Sequence, residues 1–343
     1  MIISEHRRDA SAERRPGARA KPTTLQAAVV YNPTRVDLGR LRLAVAASER
    51  KAGWSRTLWL ETTAEDPGMG QARSAVERGV DLVLAAGGDG TVRAVAEAVR
   101  GLDVSIGLIP LGTGNLLARN LNLDVNSSKL EDAVRIAFTG EDRPMDVGVI
   151  VIEREDGARS EHAFLVMAGL GLDAKMIANT RPALKRRVGW LAYVDAIARS
   201  LVDRDALRIR YRLDEEEERA TRVHTIMVGN CGTMPGNVVL LPDAQIDDGV
   251  FDIVTLRPEG FGGWAVIWFK IFWENGVLRR SQVGRKIVSM QREVRTLRYL
   301  RGSSIIVRLD RPEEFELDGD EFGEVVAFSA RVDPRAVRVR VPA

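Results

Sequence analysis

Apolar and polar positions along this chain follow two rhythms that change near residue 145. In the first part, short apolar runs alternate with stretches whose apolar residues recur every three or four positions. Ala27-Ala28-Val29-Val30-Tyr31 predicts a first strand, closed by Asn32-Pro33-Thr34, and Leu38, Leu41, Leu43, Val45 and Ala46 predict the helix after it. Trp54 to Leu60 predicts a second strand, Ala72 to Arg78 a helix, and Asp81 to Ala86 a third strand. Val92, Val95, Ala96 and Val99 predict a helix that Gly101 can end, and Val104 to Ile109 a fourth strand stopped by Pro110. Strands alternating with helices imply a parallel sheet covered by helices. Ligands of such sheets sit at the carboxyl ends of the strands.

After Met145-Asp146-Val147-Gly148 strand-like runs dominate: 147–152, 163–168, 207–213, 225–230, 250–256 and 305–309. The acid run Asp214 to Glu218 lies between two of them and reads as a solvated hairpin tip. One long helix, about Gly189 to Val202, interrupts the strands, and the domain boundary is expected near residue 145.

Four turns carry the candidate chemistry. Gly87-Gly88-Asp89-Gly90-Thr91 joins the third strand to a helix, an arrangement that lets backbone N–H groups approach phosphate oxygens. It is not a P-loop, because no glycine here precedes a lysine, and it lacks the dinucleotide spacing of alternating glycines. Taken alone, its glycines need only supply positive φ. Pro110-Leu111-Gly112-Thr113-Gly114-Asn115 follows the fourth strand, and two such turns on adjacent strands can wall one nucleotide site. Asp318-Gly319-Asp320 reads either as an Asp-Gly hairpin turn or as a carboxylate that takes a proton from an attacking hydroxyl. Asp243-Ala244-Gln245-Ile246-Asp247-Asp248-Gly249-Val250 reads either as another turn or as a site for a hard divalent cation.

Composition narrows the picture. Of 343 residues, 45% are hydrophobic, enough for a sizeable core, and the net charge of +2 gives no argument for nucleic acid. The one cysteine, Cys231, excludes an intrachain disulfide and fits a reducing compartment. His6, His162 and His224 have no metal-ligand spacing. Met1 to Pro22 is polar and charged without an apolar core, so it reads as a disordered tail rather than a secretory signal. The most apolar stretch, Phe261 to Trp273, falls short of the roughly 20 residues of a spanning helix.

Together these turns, in this order, resemble the diacylglycerol kinase catalytic-domain family in its bacterial soluble lipid-kinase branch. The motifs that carry the likeness are Asn32-Pro33-Thr34, Gly87–Thr91, Pro110–Asn115, Asp247-Asp248-Gly249 and Asp318-Gly319-Asp320. With the tail set at 1–24, the resemblance implies an α/β nucleotide-binding domain, placed at 25–145, and a lipid-binding β-sandwich, placed at 146–343. The last strand of that sandwich can return to the first domain. It implies ATP and Mg²⁺ as cofactors and a diacylglycerol-like lipid alcohol as phosphoryl acceptor. Asn32, Pro33, Thr34, Thr62, Gly87, Gly88, Asp89, Gly90, Thr91, Gly112, Thr113, Asn115 and Asp320 would then line the nucleotide site. Asp318 would be the general base, Asp89 would organise the phosphates or their metal, and the carbonyls of Gln245 and Val250 with Asp248 would hold a structural magnesium. Two positions depart from many relatives: Thr34-Arg35-Val36 stands for Thr-Ser-Gly, and Asp318-Gly319-Asp320 for Asp-Gly-Glu.

A bilayer-borne acceptor implies a cytoplasmic protein that docks peripherally on the anionic inner face of the membrane. Phe261, Trp264, Ile267, Trp268, Ile271, Phe272 and Trp273 are the expected interfacial stretch, supported by Lys185-Arg186-Arg187 and by Arg279, Arg280, Arg285 and Lys286. Exposed strand edges permit a homodimer. The competing readings are a small-molecule kinase of the NAD kinase type and a non-catalytic nucleotide- or lipid-binding regulator. The chain contains no Asn-Glu dipeptide, which counts against the NAD kinase type, and its intact acids count against the regulator.

Overall fold

β1 (Ala27–Tyr31) and β3 (Leu82–Gly87) are buried along their whole length, as strands covered on both faces must be. β1 pairs in parallel with β2 (Leu58–Glu61) and β3, and β3 with β4 (Ser105–Pro110). The structure, a computed structural model, describes residues 24–124, 129–170, 206–234, 238–257, 293–294 and 297–343. The N-terminal tail up to residue 23, the expected helix at 189–202, the aromatic stretch 261–273 and the basic groups at 185–187 and 279–286 lie outside these residues.

Alternate residues of the parallel strands feed two cores. Ala27, Val29, Leu82 and Leu84 pack with α1 (Leu38–Ala52) and α5 (Leu130–Thr139), while Ala28, Val30, Val83 and Ala85 pack with α2 (Met69–Glu77), α3 (Asp89–Val99) and α4 (Leu116–Asn120). Asp37 caps α1 by accepting from the Arg40 N–H at 3.0 Å, and Gly53 ends it at φ 70°. α5 goes beyond the sequence expectation, although Leu130, Val134, Ala137 and Phe138 share one helical face.

The rest is antiparallel strand. β5 (Glu141–Glu153), β6 (Arg159–Phe164), β7 (Met167–Leu170), β8 (Leu207–Leu213), β9 (Arg219–Val223) and β10 (Thr225–Gly229) come first. A two-stranded ribbon, β11 (Thr233–Met234) with β12 (Val238–Val239), follows. Then come β13 (Phe251–Leu256), β14 (Glu293–Val294), β15 (Leu297–Gly302), β16 (Ser304–Leu317) and β17 (Asp320–Val341). Hydrogen bonding runs unbroken through β14-β15-β13-β10-β7-β16-β17-β4-β3-β1-β2, with β5–β6 branching from β17 and β9–β8 from β16. β17 crosses from one part to the other: Arg338 and Val339 pair in parallel with Ser105 and Ile106 of β4. Inward faces of the antiparallel strands enclose a third core, with Phe164 stacked on Phe251 and Phe315 against Phe328.

Two expected strands change. The run 163–168 breaks between β6 and β7 at Leu165-Val166. The second strand starts at Leu58, not Trp54, because Trp54 packs edge-on against Phe138 of α5 instead.

Candidate active site

The glycine turn sits where β3 ends and α3 begins. Close approach and not backbone angle accounts for Gly87, Gly90, Gly112 and Gly114 in this turn and the next: neither they nor Gly88 have positive φ. A Cβ on Gly112 would stand 2.6 Å from the Gly88 Cα, so the two turns touch backbone to backbone. A Cβ on Gly87 would meet the Thr91 hydroxyl at 2.6 Å, one on Gly114 the Asp89 carboxylate at 2.5 Å, and one on Gly90 the Asp320 carboxylate at 2.9 Å.

Asp89 joins the two turns. Its oxygens accept from the Asn115 N–H at 2.9 Å and the Leu116 N–H at 2.5 Å, at the start of α4. Burial pushes its pKa up to about 6; those two N–H groups pull it down, and the charges of Asp318 and Asp320 raise it further. Asn115, held at φ 47°, closes its own loop: Oδ1 accepts from the Gly112 N–H and Nδ2 donates to the Gly112 carbonyl, both at 2.8 Å.

The hairpin reading of Asp318-Gly319 holds in the backbone. Both residues have positive φ, 50° and 87°, and Leu317 pairs with Asp320, which makes a two-residue hairpin between β16 and β17. The same turn buries Asp318 to 3% exposure. Its Oδ2 accepts from the Leu165 N–H at 2.9 Å, and its Oδ1 from Val166 at 2.8 Å and Met167 at 3.0 Å. These donors are supplied by the break between β6 and β7. A carboxylate has about four acceptor positions, so one remains on Oδ2. Desolvation raises the Asp318 pKa, against the Arg93 charge and the three N–H groups that lower it. Burial likewise raises Asp320, and Arg93, which donates to Asp320 Oδ2 at 2.7 Å, lowers it.

The remaining expected residues fall around the same strand ends. Asn32 donates its N–H to the Ala86 carbonyl at 3.0 Å, and its Oδ1 accepts from the N–H and hydroxyl of Thr34. Pro33, Thr34 and Thr113 are exposed. Thr62 is buried after β2, its N–H bonded to the Tyr31 carbonyl at 2.9 Å.

The acid loop at 243–250 is built differently. Its anchor is Asp146, fully buried, which accepts from the Gly249 and Arg335 N–H groups, each at 2.7 Å. Asp248 accepts from Arg301 Nη2 through Oδ2 and from its own loop's Val250 N–H at 3.3 Å through Oδ1. Arg301 Nε faces Asp252 Oδ1 at 3.4 Å. Burial lifts Asp252 to about 6, Arg301 lowers it, and Asp248 and Asp243 raise it. Arg301 competes for the one carboxylate that a structural magnesium on Gln245, Asp248 and Val250 would take, and Asp248 Oδ1, which accepts from the Val250 N–H, is the oxygen left to such an ion. Among the described residues no group of three or more His, Cys, Asp or Glu is placed to hold a metal. A magnesium carried by nucleotide phosphates fits the other end, where crowded Asp89 and Asp320 offer the one or two carboxylates such an ion takes.

Sequence reasoning passed over Arg93, Asp146, Asp252 and Arg301. For Arg93 a signal existed: Asp89, Arg93 and Glu97 recur every four residues and so share one face of α3.

The description of the diacylglycerol kinase catalytic domain matches residues 26–150, and that of the YegS C-terminal NAD kinase beta sandwich-like domain matches 165–262. A protein of Pseudomonas aeruginosa named "Probable lipid kinase YegS-like" is 31% identical over 312 residues, covering 88% of this chain and 90% of that one. The Bacillus subtilis "Diacylglycerol kinase" is 28% identical, covering 68% and 74%. A crystal structure of a diacylglycerol kinase from Bacillus anthracis superposes with a TM-score of 0.62 at 16% identity, covering 93% and 98%. The chain therefore belongs to the diacylglycerol kinase family, in the group of YegS-like lipid kinases. Membership of a kinase family carries ATP use with it. Among the described residues no helix is long and apolar enough to cross a membrane.

Proposed function

We propose that this chain transfers the γ-phosphoryl group of ATP to the hydroxyl of a diacylglycerol-like lipid. The observation that carries the reading is that the turns of Asp89 and Asp318, far apart in sequence, meet at Leu116: its N–H is bonded to Asp89 and its side chain lies 3.9 Å from the place a Cβ on Gly319 would occupy, and the Asp318 charge is felt by Asp89. In phosphoryl transfer the protein mainly positions groups and balances charge. Gly87, Gly88, Gly90 and Gly112 leave the backbone bare for the phosphates at the start of α3. Asp89 fixes the second turn against the first and, with Asp320, would hold the nucleotide's magnesium, which supplies electrostatic stabilisation of the phosphates when bound. Asp318 takes the lipid hydroxyl's proton on the acceptor position its three N–H donors leave open. Those donors and the Arg93 charge favour its ionised form, the form a base needs, against a burial that raises its pKa.

Docking to an anionic membrane surface belongs to the same reading. Its support is a groove of about 660 Å³ lined by Arg208, Arg210, Arg222, Arg257 and Arg308, with Asp310 the acid among its lining residues. Arg208 stands opposite Arg222, and Arg210 opposite Arg308, a like-charge pairing that an anionic surface would relieve.

The test is transfer of radiolabelled phosphate from ATP into a total lipid extract, resolved by class, with purified protein and Asp318→Asn in parallel. One labelled glycerolipid class is expected, with turnover reduced about 10²–10⁴-fold in the variant. No labelled lipid, or near-parental turnover by Asp318→Asn, overturns the reading.

A further inference from the structure

Arg93 lies one turn beyond Asp89 on α3, and none of the roles above uses it. Its side chain is only 12% exposed. The guanidinium lies over the Phe322 ring, 4.6 Å from its centre, and Nη2 donates to Asp320 Oδ2 at 2.7 Å. That same Nη2 is 3.9 Å from the place a Cβ on Gly90 would occupy. The group therefore folds back along α3 toward the glycine turn, and is not merely a bridge to β17. Its charge reaches Asp318 as well as Asp320.

The surroundings make this cation more than a structural pair. Asp320 reaches Gly90, beside Asp89, the Asp318 turn meets Leu116, which Asp89 holds, and the charges of Asp318 and Asp320 oppose ionisation of Asp89. A triphosphate brought to such a site needs positive charge at its outer end. A guanidinium offers five N–H donors in a rigid fork, and Asp320 engages one of them. Stacking on Phe322 fixes the plane of the fork.

We propose that Arg93 is the cation that meets the terminal phosphate of a bound nucleoside triphosphate, and that Asp320 is its holder while the site is empty. The proposal rests on the reading of this site as an ATP site. In the transfer, the bond between the γ-phosphorus and the β–γ bridging oxygen breaks and its electron pair leaves with ADP. The lipid oxygen bonds to the γ-phosphorus and its proton passes to Asp318. Arg93 stays protonated throughout and only donates hydrogen bonds. The short Asp320 side chain suits this, because its carboxylate already crowds Gly90 and keeps the guanidinium beside the turn.

The experiment compares ATP and ADP affinity by calorimetry, together with kcat and KM, for the parent, Arg93→Gln, Arg93→Lys, Asp320→Asn and the Arg93→Gln/Asp320→Asn double variant. Arg93→Gln is expected to lose about tenfold or more in ATP affinity with ADP affinity nearly unchanged. It is also expected to lose about 10²–10³-fold or more in kcat. Arg93→Lys should recover part of both losses, and Asp320→Asn should keep the preference for ATP over ADP. Equal weakening of ATP and ADP, or an Asp320→Asn variant that reproduces the whole Arg93→Gln loss with the double variant no worse, would reduce Arg93 to a partner of Asp320 and overturn the proposal. Parental ATP binding by Arg93→Gln overturns it and leaves the ATP-site reading standing. A parent that binds no ATP overturns both. Thermal melts of each variant separate these outcomes from misfolding.

Discussion

Two acidic turn regions of this molecule use the same residue types to opposite ends. Around the glycine turn, Asp89, Asp318 and Asp320 are brought together by elements from both halves of the chain, and burial leaves each with a raised pKa. Around 243–252, Asp248 and Asp252 also lie near one another, but both contact Arg301 of β15. Asp146 then ties the loop to β17 through two backbone N–H groups. The first region sets three carboxylates about one guanidinium and leaves its backbone bare; the second sets two about one and ties its loop down through Asp146. Acid content does not separate a reactive site from a structural one, whereas the side chain delivered from a distant strand does.

The largest break in that comparison is Asp318→Ala. Three buried N–H groups lose their acceptor, and an unsatisfied buried donor costs about 1–3 kcal/mol. Denaturant titration should show a loss of at least about 3 kcal/mol at unchanged m, and turnover should vanish. A variant as stable as the parent would mean that the Leu165–Met167 turn does not depend on this carboxylate.

Glycine substitutions sharpen the contrast next. Gly112→Ala drives a Cβ into the Gly88 backbone, which has no flexible side chain to yield, so a loss of about 1–3 kcal/mol and of ATP binding together is expected. Gly249→Ala meets nothing within 4 Å and strains only a backbone held at φ 76°, so about 1–2 kcal/mol should go with nucleotide affinity intact. Paired calorimetry and melts on the two variants check this. Loss of ATP binding in Gly249→Ala would join two regions that the comparison separates.

How much of this could be read from the chain follows from the range of the interactions. Ala27–Tyr31 is legible as an unbroken apolar run and Leu207–Leu213 as a strict alternation, because both signals are local. The fold class and the turns at 87–91 and 110–115 are legible for the same reason, as strand ends punctuated by glycine. The break at Leu165-Val166 is not, because an unbroken apolar run looks like one strand; it forms where Asp318 gathers three N–H groups from more than 150 residues away. β16 runs on from 304–309 through shifts in register to Phe315–Leu317, which the local pattern separates. The glycines were visible, but their reason was not: crowding by Gly88, Thr91, Asp89 and Asp320 replaces the expected positive φ. Arg93 and Arg301 find partners 227 and 53 residues away, a distance no local pattern encodes.

Arg301→Ala probes the quieter region. Asp252 would keep its burial and lose its cation, while the exposed side of Arg301 limits the cost to about 1–2 kcal/mol. With the guanidinium gone, Asp248 and Asp252 become available to a hard cation, so millimolar Mg²⁺ should raise the melting temperature of the variant. The parent should melt at the same temperature in Mg²⁺ and in EDTA. A parent destabilised by EDTA would mean that the loop holds a resident magnesium despite the Arg301 contacts.

The smallest effect is in pH, and it divides the regions most finely, since Asp89 and Asp252 are both pushed up to about 6. A carboxyl whose folded pKa exceeds its unfolded value of 3.8 binds protons more tightly in the fold. Between pH 3.8 and about 6 the native state therefore carries the extra proton, and each of these groups lowers stability as pH rises through that window, with no further change above it. Asp89→Asn and Asp252→Asn each delete one such slope. The stability of each variant relative to the parent should climb from pH 4 to pH 6 and then level off. Only one of the two titrations should reach catalysis. Asp89 must be ionised to serve the phosphate end, so kcat/KM should fall below about pH 6 in the parent and equally in Asp252→Asn. If that acidic limb moved with Asp252→Asn, or lay near pH 4, Asp89 would not be the crowded carboxylate on which the contrast between the two regions depends.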